Sequence, residues 1–271
     1  MEPPKEETRS RWPQLGALLK KGREDKTTMV TYSIKIYYTP EVKKSVKNIK
    51  LMVDQVVGTM NQGYKNSKIP IRAVLHCIEE TTKPESAFQD LDNFADYKGG
   101  DNGLRGSADA TALLIKDHPK FCGVGYMPPM AEKDLIQYPF KSLMVSMTTV
   151  SCALDTYTFG HEVSHNMGND HDKYGKTNKI PYAQGYHIPG TNARTIMAYQ
   201  RAEKPENTRE VNYYSNPKVN FKNVPTGEEG KADAARMITE NRFAIAAVGD
   251  ESQKCGNGSG GKHSPHSTRF T

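Results

Sequence analysis

His161-Glu-Val-Ser-His165-Asn-Met-Gly168-Asn-Asp-His171 places three imidazoles, one carboxylate and one glycine at the spacing of a catalytic metal site with its own general base. HExxH alone recurs by accident. The extended pattern fixes five residue types, and at this composition a chance match is on the order of one in ten million per start position. Helix positions four apart lie roughly 40° apart on one face. His161 and His165 therefore each present a ring nitrogen to one ion, while Glu162 points to the side, towards a metal-bound water. Gly168 tolerates positive φ and ends the helix in a sharp turn, so that the chain doubles back and brings His171 to the same ion. Three protein ligands leave the fourth tetrahedral position open for water, which is the arrangement of catalytic rather than structural zinc.

The flanking residues agree. Phe159, Val163 and Met167 recur every four positions and give the helix a buried side away from the metal. Further on stands Thr195-Ile-Met197-Ala-Tyr199. With these residues in place, the chain resembles the metzincins, a clan of zinc endopeptidases marked by HExxHxxGxxH and a later methionine turn. The resemblance covers residues 30 to 248 and is most specific between 150 and 217. It implies an α/β (α+β) catalytic domain. Such a domain has a mixed twisted sheet, long helices, an active-site helix and a smaller C-terminal subdomain ending in a helix. It makes Met197 a hydrophobic floor under the imidazoles. Asp172, directly after the third His, is similar to the adamalysin (reprolysin) branch. Arg194-Thr-Ile-Met-Ala-Tyr199 and Tyr214-Ser-Asn-Pro217 also look like the bacterial peptidyl-Asp metalloendopeptidases. Met-x-Tyr resembles astacins and serralysins, where the tyrosine ligates zinc and swings away to stabilise the transition state. A packed aromatic with its hydroxyl on backbone is the other reading of Tyr199.

The implied mechanism is hydrolysis of internal peptide bonds by a zinc-bound water, with Glu162 as general base and then proton donor to the departing amine. Gly168, Asp172 and Met197 support the site. The rival reading is a catalytically silent homologue acting as a binding module or toxin; it is weakened by the presence of Glu162 and all three His. The cofactor expected is one catalytic Zn2+, and a structural Ca2+ is not legible. The substrate is a protein or peptide bound extended along an edge strand. The segment from Asn192 to Pro217 is expected to wall the pocket after the cleavage point, with Tyr213 and Tyr214 near it.

Apolar residues make up 36% of the 271 and charged residues 25%, enough for a core under a polar surface. The net charge of +6 is spread along the chain with no nucleic-acid motif behind it, so a solvated basic surface is expected and no nucleic acid partner. No run approaches the length of a transmembrane helix. Met1-Glu-Pro-Pro-Lys-Glu-Glu-Thr-Arg-Ser10 lacks the apolar core of a signal peptide. Either a signal and propeptide lie outside this sequence, or export does not use that route; the resemblance implies a secreted, monomeric protein. Cys77, Cys122, Cys152 and Cys255 allow three complete pairings, none with CxxC spacing. The resemblance implies a Cys122–Cys152 bridge, two buried thiols being the alternative. Cys77 is expected buried.

Along the chain, residues 1–27 read as an N-terminal extension or propeptide remnant and 28–249 as the catalytic domain, upper part 28–168 and lower part 169–249. Residues 250–271 read as a disordered Gly/Ser-rich tail, in which His263 and His266 are solvated. Val30–Tyr38 reads as the first strand. Pro40 opens one long helix with Val42, Val46, Ile49, Val53, Val56 and Met60 on its apolar stripe. Residues 69–78, 110–115, 121–127 and 142–150 read as further strands, the third of these an edge blunted by Pro128-Pro129. Residues 90–106 read as a loop with a short helix, and Lys231–Val248 as an amphipathic helix.

Overall fold

The computed structural model describes residues 12–128, 143–172, 180–200 and 208–249. The expected tail from residue 250, with Cys255, His263 and His266, lies outside them.

Trp12–Glu24 forms helix α1 and Val30–Tyr38 strand β1. The single long helix expected after Pro40 is two helices, α2 (Pro40–Ser45) and α3 (Ile49–Asn66). Thr39 caps α2 by accepting from the Val42 amide. Val46 then takes extended geometry, φ −111° and ψ 116°, and Asn48 accepts from the Leu51 amide to start α3. A β-branched residue followed by a strong capping residue is what interrupts the helix. The apolar stripe survives the break: Val42, Val53, Val56 and Met60 are all buried.

Ile71–Glu80 is β2, starting after Pro70 rather than at Ile69. The helices α4 (Leu91–Ala95) and α5 (Asp101–Arg105) precede β3 (Ala110–Ile115). Gly123–Gly125 is β4, shorter than the strand expected, and Val145–Thr149 is β5. Next come α6 (Val150–Asp155) and α7 (Thr158–Asn166). Five two-residue strands follow: β6 (His187–Ile188), β7 (Ala193–Arg194), β8 (Arg209–Glu210), β9 (Asn220–Phe221) and β10 (Val224–Pro225). The last element is α8 (Ala234–Ile245). No helix among the described residues is long and apolar enough to cross a membrane.

The main sheet has the order β2-β1-β3-β5-β4, parallel except for β4, which pairs antiparallel with β5 and forms the edge. Strand alternation divides the interior in two. Ile34, Ile36, Ala112 and Leu114 face the main core with α3, α7 and α8. Tyr37, Leu113, Ile115, Val145 and Met147 face a second core. The segment expected as a loop closes this second core. Phe88, Phe94 and Tyr97 meet edge to face, and Phe94 and Tyr97 meet Tyr37 likewise, with centroids 5.5–5.9 Å apart.

β2 carries a bulge at His76, because Ile34 pairs with Leu75 and Lys35 with Cys77. Cys77 is half-buried, where burial was expected, and it is disulfide-bonded. Part of the stretch expected as an extension is packed into the fold. Leu19 of α1 lies in the main core, and the guanidinium of fully buried Arg242 on α8 donates to the carbonyls of Thr28 and Asp25 at 3.0 and 2.8 Å. Lys26 reaches Glu240 at 3.0 Å. A sparse apolar pattern hid this docking, because polar contacts carry much of it.

Candidate active site

Strand β5 runs into α6, and Thr156, extended at φ −133°, breaks the path so that α7 starts in a new direction. A disulfide joins Cys122, just before β4, to Cys152 on α6, with Cα atoms 5.7 Å apart. α7 lies wholly inside the molecule, with every residue from Phe159 to Asn166 buried. The one-sided burial expected for Phe159, Val163 and Met167 is thus all-round burial. At its end Asn166 donates to the carbonyls of Tyr126 and Val145, at 2.7 and 2.9 Å, and so ties the helix to the sheet edge.

Gly168 stands at φ 97°, in the left-handed region that favours glycine. Its amide donates to the His165 carbonyl at 2.9 Å and the Asn169 amide to the Ser164 carbonyl at 3.1 Å. This pair of bonds is a Schellman cap. It reverses the chain, and Asp170 then bridges to Gln184 while its carboxylate accepts from the His171 amide at 2.7 Å.

The reversal brings the three imidazoles together. Nε2 of His171 lies 3.0 Å from Nε2 of His161 and 3.0 Å from Nε2 of His165. The opposite ring nitrogens face carbonyls: Nδ1 of His161 meets Ile196 O at 2.7 Å, and Nδ1 of His165 meets Asn169 O at 2.8 Å. A carbonyl only accepts, so the proton sits on each Nδ1 and each Nε2 offers a bare lone pair. Lone pairs converging this closely repel unless a cation lies among them. Three imidazole nitrogens at this span suit a zinc-type ion, whose Zn–N bonds run to about 2.0–2.1 Å. Burial also keeps the rings neutral: it pushes His165 down to about 4 and His161 well below its ordinary value, with the neighbouring rings adding to both effects.

Glu162 is 6% exposed, and burial pushes its carboxyl up to about 8. β4 lies against it. A Cβ on Gly123 would stand 2.6 Å from Glu162 Cγ, and one on Gly125 would stand 2.4 Å from the Glu162 carbonyl oxygen. The three His, Glu162 and β4 line an open cleft of about 630 Å³. Its other wall carries Arg194, Ala198, Tyr199, Gln200 and Glu210.

Met197 is fully buried in the turn closed by the Ala198 amide on the Thr195 carbonyl, at 2.9 Å. The ring of Tyr199 is half-exposed in the cleft with its centroid 4.0 Å from that of His171. Asp172 is buried, and its carboxylate lies 3.4 Å from Nε2 of His187, a nitrogen that also approaches the Tyr199 carbonyl at 2.9 Å. The expectation for Tyr214 is corrected. It is fully buried behind α7, stacked on Tyr64 and donating to the Gly160 carbonyl at 3.0 Å, because a hydroxyl under a helix finds backbone before solvent. Neither Tyr213 nor Tyr214 lines the cleft.

Sequence reasoning missed Gly123, Gly125, Gly185, His187 and Arg194. The two β4 glycines carried a signal, since Gly-x-Gly in a strand puts both on one face against a close neighbour. The others depend on chain segments distant in sequence. Gly185 abuts the methionine turn so closely that a Cβ there would stand 2.2 Å from Met197 C and Ala198 N.

A family model described as metallo-peptidase family M12, reprolysin type, matches residues 28–215. Two curated relatives are peptidyl-Asp metalloendopeptidases. The one from Stenotrophomonas maltophilia (strain K279a) is 28% identical over 214 residues, covering 74% of this chain and 48% of the relative. The one from Xanthomonas campestris pv. campestris is 28% identical over 208 residues, covering 74% and 47%. The chain thus spans about half the length of the curated relatives it matches. Among solved structures, a chain from a chaperone–substrate complex superposes with a TM-score of 0.62 at 20% identity, over 82% of this chain and 35% of that one, a likeness of fold. The metal-binding pattern, the mixed sheet and the match over residues 28–215 agree, and the chain belongs to metallo-peptidase family M12.

Proposed function

We propose that this chain is a zinc-dependent endopeptidase that hydrolyses internal peptide bonds without a covalent intermediate. The observation that carries this reading is the convergence of three imidazole Nε2 atoms beside a buried carboxyl in an open cleft. His161, His165 and His171 would hold the zinc, which would supply Lewis acidity to a water and to the scissile carbonyl. Glu162 takes the proton from the attacking water and delivers it to the departing amine. Tyr199, beside His171, lends its hydroxyl to the developing oxyanion. Met197 and Gly168 keep the imidazoles in place, and Asp172 acts through His187 on the backbone of Tyr199.

The substrate lies extended along β4. This strand is the sheet edge, and its far side has no strand partner among the described residues. Backbone pairing there aligns one peptide bond over the metal site. The relatives' name supports cleavage beside an acidic residue. Cys122–Cys152 and the bonded Cys77 support an oxidising, extracellular setting for a monomer. The catalytic unit divides at Gly168 into an upper and a lower part flanking the cleft.

A casein digest with and without a chelator, repeated on E162Q, tests the reading. Chelation is expected to abolish cleavage and zinc to restore it. E162Q is expected to keep zinc and to lose at least about 10²-fold in rate, the scale of general acid–base catalysis. Digestion by E162Q at the native rate would overturn the mechanism.

A further inference from the structure

Among the described residues lining the cleft, Arg194 is the one side chain with a permanent positive charge. It sits on β7, next to the methionine turn, with Thr156, Thr158 and Glu210 as neighbours in the cleft. Its Nε donates to the Ala198 carbonyl at 3.1 Å, and its Nη1 to Gln200 Oε1 at 2.7 Å and to the Thr208 carbonyl. All three acceptors are neutral. Among the described residues Nη2 makes no hydrogen bond, and the guanidinium forms no ion pair. Glu210, its register partner on β8, directs its carboxylate to the Tyr157 amide at 3.4 Å instead. Burial raises the Glu210 carboxyl while the nearby Arg194 charge pulls it the other way, so Glu210 acts on Arg194 at a distance without forming an ion pair.

An arginine keeps its charge at any working pH; with its Nε proton and both Nη1 protons engaged, the Nη2 group is left to donate to a carboxylate in a charge-assisted hydrogen bond. Here the guanidinium is held from one side by backbone and amide oxygens, so its orientation is set before any ligand arrives. Half-burial strengthens its pull on an anion relative to a lysine waving in solvent. Glu210 is the nearby carboxylate of its own chain, but no ion pair joins the two among the described residues, and Arg194 lines the channel where a peptide would lie.

We infer that Arg194 is the specificity-determining residue of the cleft, and that it takes the carboxylate of an acidic substrate side chain flanking the scissile bond. The inference rests on the endopeptidase reading above and on the acidic preference that the relatives' name supports, and it adds the residue that selects the substrate. The neutral acceptors prepay the ordering of the guanidinium. A substrate amide in place of the carboxylate would leave the charge uncompensated, and a substrate lysine would meet repulsion.

The test uses the zinc-loaded full chain and three otherwise identical neutral peptides carrying a central Asp, Asn or Lys. Two readouts are taken: kcat/KM for cleavage by the native protein, and binding of the labelled peptides to zinc-loaded E162Q by fluorescence anisotropy. Native protein is expected to favour Asp over Asn by at least about 10-fold in kcat/KM, with Lys poorest. E162Q is expected to bind the Asp peptide tighter by a similar factor. R194Q should bring the Asp/Asn ratio to within about 3-fold of unity in both readouts, and R194K should retain an intermediate preference.

A proportional loss on all three peptides in R194Q would mean a merely structural role and overturn the proposal, as would an unchanged Asp/Asn ratio. Should R194Q fail to fold, R194K decides: a ratio abolished despite the retained charge and a native-like melting temperature also overturns it. Asp-selective binding without any cleavage would uphold the role of Arg194 and sink the endopeptidase reading. Efficient cleavage with no charge preference would do the reverse.

Discussion

Nδ1 of His161 donates to the carbonyl oxygen of Ile196 at 2.7 Å, so the first imidazole of the helix motif is oriented by the residue just before the buried Met197. The bond fixes the tautomer of His161 and couples the position of its Nε2 to the path of the methionine turn. That path depends in turn on Gly185, which lets the Met197 and Ala198 backbone approach within contact.

G185A is therefore expected to act on metal binding through a residue that touches no metal. Its Cβ would meet Met197 C at 2.2 Å, a backbone atom that cannot swing aside. Moving the turn loosens the hydrogen bond to His161, and losses of about 10–100-fold in metal affinity accompany such changes in ligand support. Competition with a fluorescent zinc chelator measures this; affinity within about 2-fold of native would contradict the coupling.

The metal-free protein should show a pH signature of Glu162. Its folded pKa, about 8, lies above the ordinary 4.5, so the native state holds a proton that the unfolded state has released. The associated stability is present below about pH 4.5 and is lost as pH rises through about 8. His165 works in the opposite sense: lowered from 6.5 to about 4, it contributes stability above pH 6.5 that is lost as pH falls through about 4. Between pH 6.5 and 8 the Glu162 effect stands alone. Urea melts of chelated protein should fall by up to ~1.4 kcal/mol per pH unit there, while chelated E162Q stays flat.

The two glycines of β4 should fail differently. A Cβ at position 123 meets only the Glu162 side chain, Cγ at 2.6 Å and Oε1 at 2.8 Å, whereas one at 125 meets the Glu162 backbone. G123A is expected to displace the carboxylate and lower kcat by about 10-fold or more, since its position sets proton transfer, with little change in melting temperature. G125A is expected to lose about 1–3 kcal/mol from overpacking. Calorimetry beside peptide kinetics on both variants separates the effects, and an identical pattern in the two would count against the geometry.

Removing the Cys122–Cys152 bridge in C122S/C152S opens a loop of sequence separation 30. Loop-closure entropy puts the loss at roughly 3–4 kcal/mol. Because Cys122 leads directly into β4, the double variant should also raise KM more than it lowers kcat if substrate pairs along that strand. A variant as stable as the native protein would show that the packing of α6 and β4 holds without the bridge.

Much of the site was legible because its logic is local. The histidine spacing, Glu162 and Gly168 describe one helix and its cap, and both obey short-range rules. The sheet was legible for a similar reason, since Val30–Tyr38 and Ala110–Ile115 carry apolar, β-favouring residues in strand-length runs. The break between α2 and α3 was less so, because the apolar stripe runs unbroken through Val46 and Ile49 while only the backbone at Val46 records the turn.

What the amino-acid order determined by itself was a metal-binding helix with its base, on a mixed sheet, ahead of a methionine turn. Tertiary structure alone decided what surrounds that helix. It set Ile196 O against His161, drew β4 over Glu162, buried Tyr214 behind Gly160 instead of in the cleft, and left Arg194 facing the cleft among neutral acceptors. The first three of these join segments tens of residues apart, where contact depends on how whole elements pack. Spacing rules act over one or two turns of chain, and packing acts across the core.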